Sequence, residues 1–60
     1  MNAMKPVLTV SLGVHTHSLS RRLDEAGIIY SWQQAASEQL LLVDSESNSE
    51  RIAELIHDWR

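Results

Sequence analysis

The sequence predicts a small α+β domain with the element order βαββα, and three observations carry that expectation. Apolar and polar residues alternate along Val7 to Leu12 and along Ile28 to Gln34, the period of a strand with one buried face. A third run, Gln39 to Val43, is apolar on both faces. Two other segments, Ser18 to Ala26 and Glu50 to Trp59, carry their apolar residues at helical spacing. Together these five pieces take up most of the 60 residues and leave no loop long enough to hold an active site.

In the first strand, Leu8, Val10 and Leu12 alternate with Thr9 and Ser11. Pro6 stands just ahead, tolerable at the start of a strand and awkward inside it. Gly13 ends the strand and opens the turn into the first helix, which begins at Thr16 or Ser18. Its stripe is Leu19, Leu23 and Ala26, and Gly27 falls where a left-handed C-cap is expected. In the second strand Ile28, Tyr30 and Trp32 alternate with Ile29, Ser31 and Gln33. A four-residue connection, Ala35 to Glu38, leads to Leu40-Leu41-Leu42-Val43, and a strand apolar on both faces belongs in the centre of a sheet. Ser47-Asn48-Ser49-Glu50 has capping-box spacing, with Ser47 as cap, and Ile52, Leu55, Ile56 and Trp59 form the stripe of the second helix.

Connection rules then assemble the sheet. A helical link between strands one and two favours a right-handed crossover and parallel directions, and the short link between strands two and three makes them antiparallel. With the third strand central, the expectation is a three-stranded mixed sheet, order 1-3-2, with both helices on one face. The other face stays bare, so either Leu40 and Leu42 or Leu41 and Val43 must point away from the helices, along with either Ile29 or the Tyr30 and Trp32 pair, and form an apolar patch. The candidate interface residues are Tyr30, Trp32, Leu41 and Val43. Trp32 is open to two readings, a core residue or an exposed interface anchor, whereas Trp59 completes a helical stripe and belongs to the core.

Composition narrows the classes of function. Residues 1–60 make a single domain, with 1–5 expected to be disordered. A chain this short buries only about 60% of the surface that its unfolded form exposes. It has no cysteine for disulfides or for zinc, so burial against a partner or a second copy is the remaining support. Five basic residues, with Arg21-Arg22 the one adjacent pair, provide no cationic stripe for a phosphate backbone, and nucleic acid is not an expected partner. The longest apolar stretch, Leu40 to Val43, is far short of the roughly 20 residues that cross a bilayer. A cytosolic location is expected, and a membrane surface is a weak partner because the net charge is -3.

Chemical constellations are sparse. His15 and His17 stand two residues apart and in an extended segment would share a side, where His57 or a carboxylate could complete a metal site. The plainer reading is two solvated turn histidines, and no metal or other cofactor is expected. The serines sit where caps and turns want them, outside any nucleophile elbow. Asp44, Glu46, Glu50, Glu54 and Asp58 form a negative segment whose ordinary role is solubility and compensation of the helix dipole. No catalytic residue is assigned, and the chain is not expected to be an enzyme.

The residues also carry a resemblance. Leu23-Asp24-Glu25-Ala26-Gly27-Ile28-Ile29, then Gln33-Gln34, then Leu40-Leu41-Leu42-Val43-Asp44, then Ser49-Glu50-Arg51-Ile52-Ala53-Glu54-Leu55 resemble the small cytosolic domain that precedes the membrane core of bacterial rhomboid intramembrane proteases. In that family a strand, a helix ending in a Gln-Gly turn, a strand bearing Gln-Gln, a strand ending in acidic residues and a Glu-Arg helix follow in this order. This chain departs from the pattern where Leu41 or Leu42 stands in place of a strand-three tryptophan, and in its His-rich turn. The resemblance implies a non-catalytic regulatory or interaction module on the cytoplasmic side, tethered through a following transmembrane region. It would act by self-association or by contact with its own membrane domain. The family's serine and histidine lie in that membrane part, so no site residue carries over.

Val7 to Leu12, Gly13, Leu23 to Ile28 and Ala36-Ser37-Glu38 are also similar to the ACT regulatory domain of aspartate kinases. That likeness implies an amino-acid effector near Gly13 and His15, and a fourth strand that this sequence does not contain. A free-standing inhibitor or adaptor is a further reading of so compact a chain.

Overall fold

A computed structural model of the chain describes residues 3–60. Strand β1 spans Met4–Ser11, helix α1 His17–Glu25, strand β2 Tyr30–Gln34, strand β3 Glu38–Asp44 and helix α2 Ser49–Trp59. The element order is the expected βαββα, and the sheet has the expected order β1-β3-β2. β1 and β2 run in the same direction, as the helical connection between them requires. Because β3 lies between them they never pair; both ladders are antiparallel, and the sheet is antiparallel rather than mixed. The molecule is only 16 Å across its thinnest dimension, the depth of one helix layer on one sheet.

Both helices pack on the same face. Leu19 and Leu23 of α1, Leu41 and Val43 of β3 and Ile52 of α2 are buried together as one cluster. Val7, Leu8, Ile28, Tyr30, Trp32, Leu55, Ile56 and Trp59 pack around it, each partly buried. The helical stripes read from the sequence therefore do face the sheet, with Ile52 rather than Leu55 at the centre of the α2 contact.

The ends of the elements move for local reasons. β1 starts at Met4, ahead of Pro6, because an edge strand tolerates a proline whose missing N–H would have pointed outward. The register with β3 then slips between Pro6 and Leu8, leaving Val7 as a bulge. Met4 and Lys5 are thus strand residues rather than disordered, while Met1 and Asn2, for which disorder was also expected, lie outside the described residues. Lys5 ties the strand to the start of α2, donating from Nζ to Ser49 Oγ at 3.0 Å.

α1 ends in a Schellman arrangement. Ile28 N–H donates to Leu23 O and Gly27 N–H to Asp24 O, both at 3.0 Å, with Gly27 at φ 72°. A side chain at position 27 would be strained in that backbone conformation. The cap also consumes Ile28, which is why β2 starts only at Tyr30. The hairpin that follows is closed by Ala35 N–H donating to Glu38 O at 2.8 Å, a three-residue connection rather than four.

The capping box is corrected. Asn48 is the N-cap of α2, its Oδ1 accepting from Glu50 N–H at 3.0 Å and Arg51 N–H at 3.3 Å. Ser47 instead belongs to the turn before it, donating its N–H to Asp44 O at 2.9 Å. A short amide side chain already at the helix entrance leaves Ser47 one position too early to cap.

Two outcomes check this account. Asn48→Ala should destabilise the domain by about 1 kcal/mol while Ser47→Ala stays within about 0.5 kcal/mol, measured by urea unfolding. Ile52→Ala should cost about 2 to 5 kcal/mol and clearly more than Leu55→Ala; equal losses at the two positions would contradict the placement of α2.

Candidate functional site

The site question turns on which face of the sheet each strand residue occupies. Paired residues share a face, so the register assigns them. Tyr30 pairs with Val43 and Trp32 with Leu41, while Ser31 pairs with Leu42 and Gln33 with Leu40. On the other side of β3, Leu8 pairs with Leu41 and Lys5 with Val43, whereas Pro6 pairs with Leu42 and Thr9 with Leu40. Since Leu41 and Val43 are both 0% exposed under the helices, Tyr30 and Trp32 lie on the covered face with them.

The four candidate interface residues therefore do share one face, but it is the wrong one for a partner. Leu41 and Val43 have no surface to offer. Tyr30 and Trp32 are half-buried and directed at α1: Trp32 Nε1 donates to Ser20 Oγ at 2.8 Å, and Tyr30 Oη to Asp24 Oδ2 at 3.3 Å. Of the two readings of Trp32, the structure selects the core one. Trp59 is secured in the same way from the other side, its Nε1 donating to Ser18 Oγ at 3.0 Å. Ser18 and Ser20 thus bracket the buried Leu19 and give each indole N–H an acceptor.

The face with no helix on it carries the other set. Leu40 and Leu42 occupy its centre on β3, each half-buried, and Pro6 and Met4 lie beside them on β1. Ile29, 57% exposed, precedes β2 at the same end, where its carbonyl accepts from Asp44 N–H at 3.1 Å. Thr9, Ser31 and Gln33 form a polar border along the sides, and the carboxylates of Glu38 and Asp44 mark the two ends of the same face on β3. This patch, rather than Tyr30, Trp32, Leu41 and Val43, is the apolar surface that the helices leave uncovered. A signal for it was present in the sequence. Closing the hairpin with Gln34 opposite Gln39 sets both aromatic rings on the face of Leu41 and Val43, and burying those rings leaves Leu40 and Leu42 outside.

A residue whose sequence context gives no hint of this role holds the β1–α1 turn. The Gln39 amide lies with Nε2 within hydrogen-bond distance of the carbonyls of Ser11 at 3.2 Å, Leu12 at 3.4 Å and Val14 at 3.2 Å, its two N–H groups shared among the three acceptors. A single side chain thereby fixes the loop whose apolar members, Leu12 and Val14, remain exposed. His15 and His17 are exposed, and among the described residues no group of three His, Cys, Asp or Glu side chains is placed to hold a metal ion.

Two shallow depressions lie elsewhere on the described surface. One of about 320 Å³ runs between β1 and α2, bordered by Val7, Ile56 and His57; the other, about 500 Å³, lies along the outward side of α1 between Arg21, Arg22 and Glu25. Both are open to solvent along their length, and neither gathers convergent polar groups around an enclosed volume. No helix of the described residues is long and apolar enough to cross a membrane. Compared with protein-family models, curated proteins and solved structures, the chain matches none.

Replacing the bridging amide tests its role. Gln39→Ala should raise hydrogen-exchange rates at Gly13, Val14 and His15 while leaving those of Leu41 and Val43 unchanged. Unaltered exchange in the turn would show that other contacts hold it.

Proposed function

We propose that this chain is a non-catalytic interaction or regulatory module of the kind that precedes the membrane core of a rhomboid intramembrane protease, and that its bare sheet face is the working surface. The observation that carries the reading is the split of the β3 leucines. Leu41 seals the helix-covered core, and Leu40 and Leu42 stand on a face that neither helix covers. A domain this small with only partly buried leucines at the centre of a sheet retains apolar area for a partner, and the polar border of Thr9, Ser31 and Gln33, with Glu38 and Asp44 at its ends, suits a reversible contact.

Support for the particular attachment comes from the order of elements. The Gly-ended helix, the Gln-Gln strand, the leucine strand and the Glu-Arg helix occupy α1 with its cap, β2, β3 and α2. That is the sequence of elements the resemblance implies. In this reading the domain sits on the cytoplasmic side, and its face meets the membrane-embedded part of the same protein. The proteolytic chemistry belongs to that other part.

The coding sequence beyond Arg60 tests the attachment. It is expected to continue into several apolar segments of about 20 residues each, and a stop codon directly after Arg60 would overturn the protease-attached reading. The face has its own test in the intact membrane protein. Leu40→Lys combined with Leu42→Lys should leave the melting transition of the domain in place and change proteolysis of a membrane substrate several-fold. Unchanged proteolysis would remove this face from the mechanism.

A further inference from the structure

The two edges of the sheet differ in what their backbone groups can offer. Antiparallel partners alternate between bonded and non-bonded pairs. In the β2–β3 ladder, Asp44 N–H donates to Ile29 O and Ala35 N–H to Glu38 O. Ser31 and Gln33 therefore also bond inward, and the N–H and C=O groups of Tyr30, Trp32 and Gln34 point away from the sheet. At the β1 edge, Ser45 N–H donates to Ala3 O and Leu12 N–H to Ser37 O, and the same alternation turns Met4, Pro6 and Thr9 outward.

β1 is defended against strand pairing by three devices in a row: the charge of Lys5, the missing N–H of Pro6 and the bulge at Val7. β2 has none of them. Tyr30-Ser31-Trp32-Gln33-Gln34 contains no charge, proline or glycine, and its register with β3 is unbroken. The half of the sheet that is left unguarded is also the one without charge.

We propose that the β2 edge is a strand-addition site and that its occupant is β2 of a second copy of this chain, paired antiparallel about a two-fold axis at Trp32. The strand is its own complement. With Trp32 opposite Trp32, Tyr30 of each copy meets Gln34 of the other, and Ser31 meets Gln33. All outward backbone groups then fall in bonded pairs: two hydrogen bonds at Trp32 and two at each Tyr30–Gln34 pair, about six in total. An uncharged strand meets its copy without the like-charge repulsion that a chain of net charge -3 would suffer at most other surfaces. The axis stands perpendicular to the sheet, so the Leu40 and Leu42 faces of the two copies become one continuous surface. The use of that surface rests on the interaction-module reading, whereas the pairing itself does not.

Sedimentation from micromolar to millimolar concentration, with amide exchange followed in parallel, tests the proposal. The wild-type chain is expected to pass from monomer to dimer, with the Tyr30, Trp32 and Gln34 amides gaining protection only as dimer forms. Gln34→Pro removes an outward donor while sparing the bonds to β3, and should weaken dimerisation about tenfold or more, equivalent to about 1.4 kcal/mol, with the melting temperature little changed. Should that variant fold poorly, Ser31→Lys with Gln33→Lys provides the second arm, setting ammonium groups opposite one another across the pair on side chains already exposed. A strict monomer throughout the range would overturn the inference. So would a dimer in which the three amides stay unprotected, or one abolished by Leu42→Lys yet indifferent to both edge variants. None of those results would bear on the coding-sequence test of the proposed function.

Discussion

Everything in this domain is referred to strand β3. Among the described residues it is the only strand with neighbours on both sides, so both ladders hang on it, and its Leu41 and Val43 are the sheet's contribution to the fully buried cluster. Leu19, Leu23 and Ile52 close on those two side chains from above. In a chain of this length the buried core is so small that no second layer of packing stands in reserve. The half-exposed ring of Tyr30, Trp32, Ile56 and Trp59 therefore has to be held by polar contacts at its rim.

Ser18 and Ser20 provide two of those contacts. Lying on either side of Leu19, they receive the indole N–H groups of Trp59 and Trp32, so one turn of α1 is connected to α2 and to β2 while its leucine enters the core. Large aromatic rings can then be used at the margin of the core without leaving a donor unsatisfied. Among the described residues, no buried side-chain polar atom lacks a hydrogen-bond partner. Gln39, one step along β3 from the core, extends the same logic to the β1–α1 turn by collecting three carbonyls on one amide.

Much of the fold was legible in the residues. The five elements, the central place of β3 and the left-handed cap at Gly27 follow from short-range periodicity and from the singular freedom of glycine at positive φ. Boundaries were less legible, because they depend on pairing rather than on composition. Pro6 sits inside β1 only because that strand is an edge, Ile28 is taken by the helix cap, and Asn48 takes the capping place expected of Ser47. The candidate surface was half legible: a bare apolar face was expected and exists, but its residues are Leu40, Leu42, Met4, Pro6 and Ile29 rather than Tyr30, Trp32, Leu41 and Val43.

The sequence by itself determined the element order, the strand order and the existence of two alternating apolar sets on β3, because each follows from local period and from the rules of connection. Only the tertiary structure decided which set faces the helices. A strand with side chains of period two offers both choices equally, and the decision falls to the register across the hairpin. That register ties Leu41 and Val43 to the two aromatic rings that α1 must cover. A shift of a single residue would exchange inside for outside, and with it the apolar surface that the fold leaves uncovered.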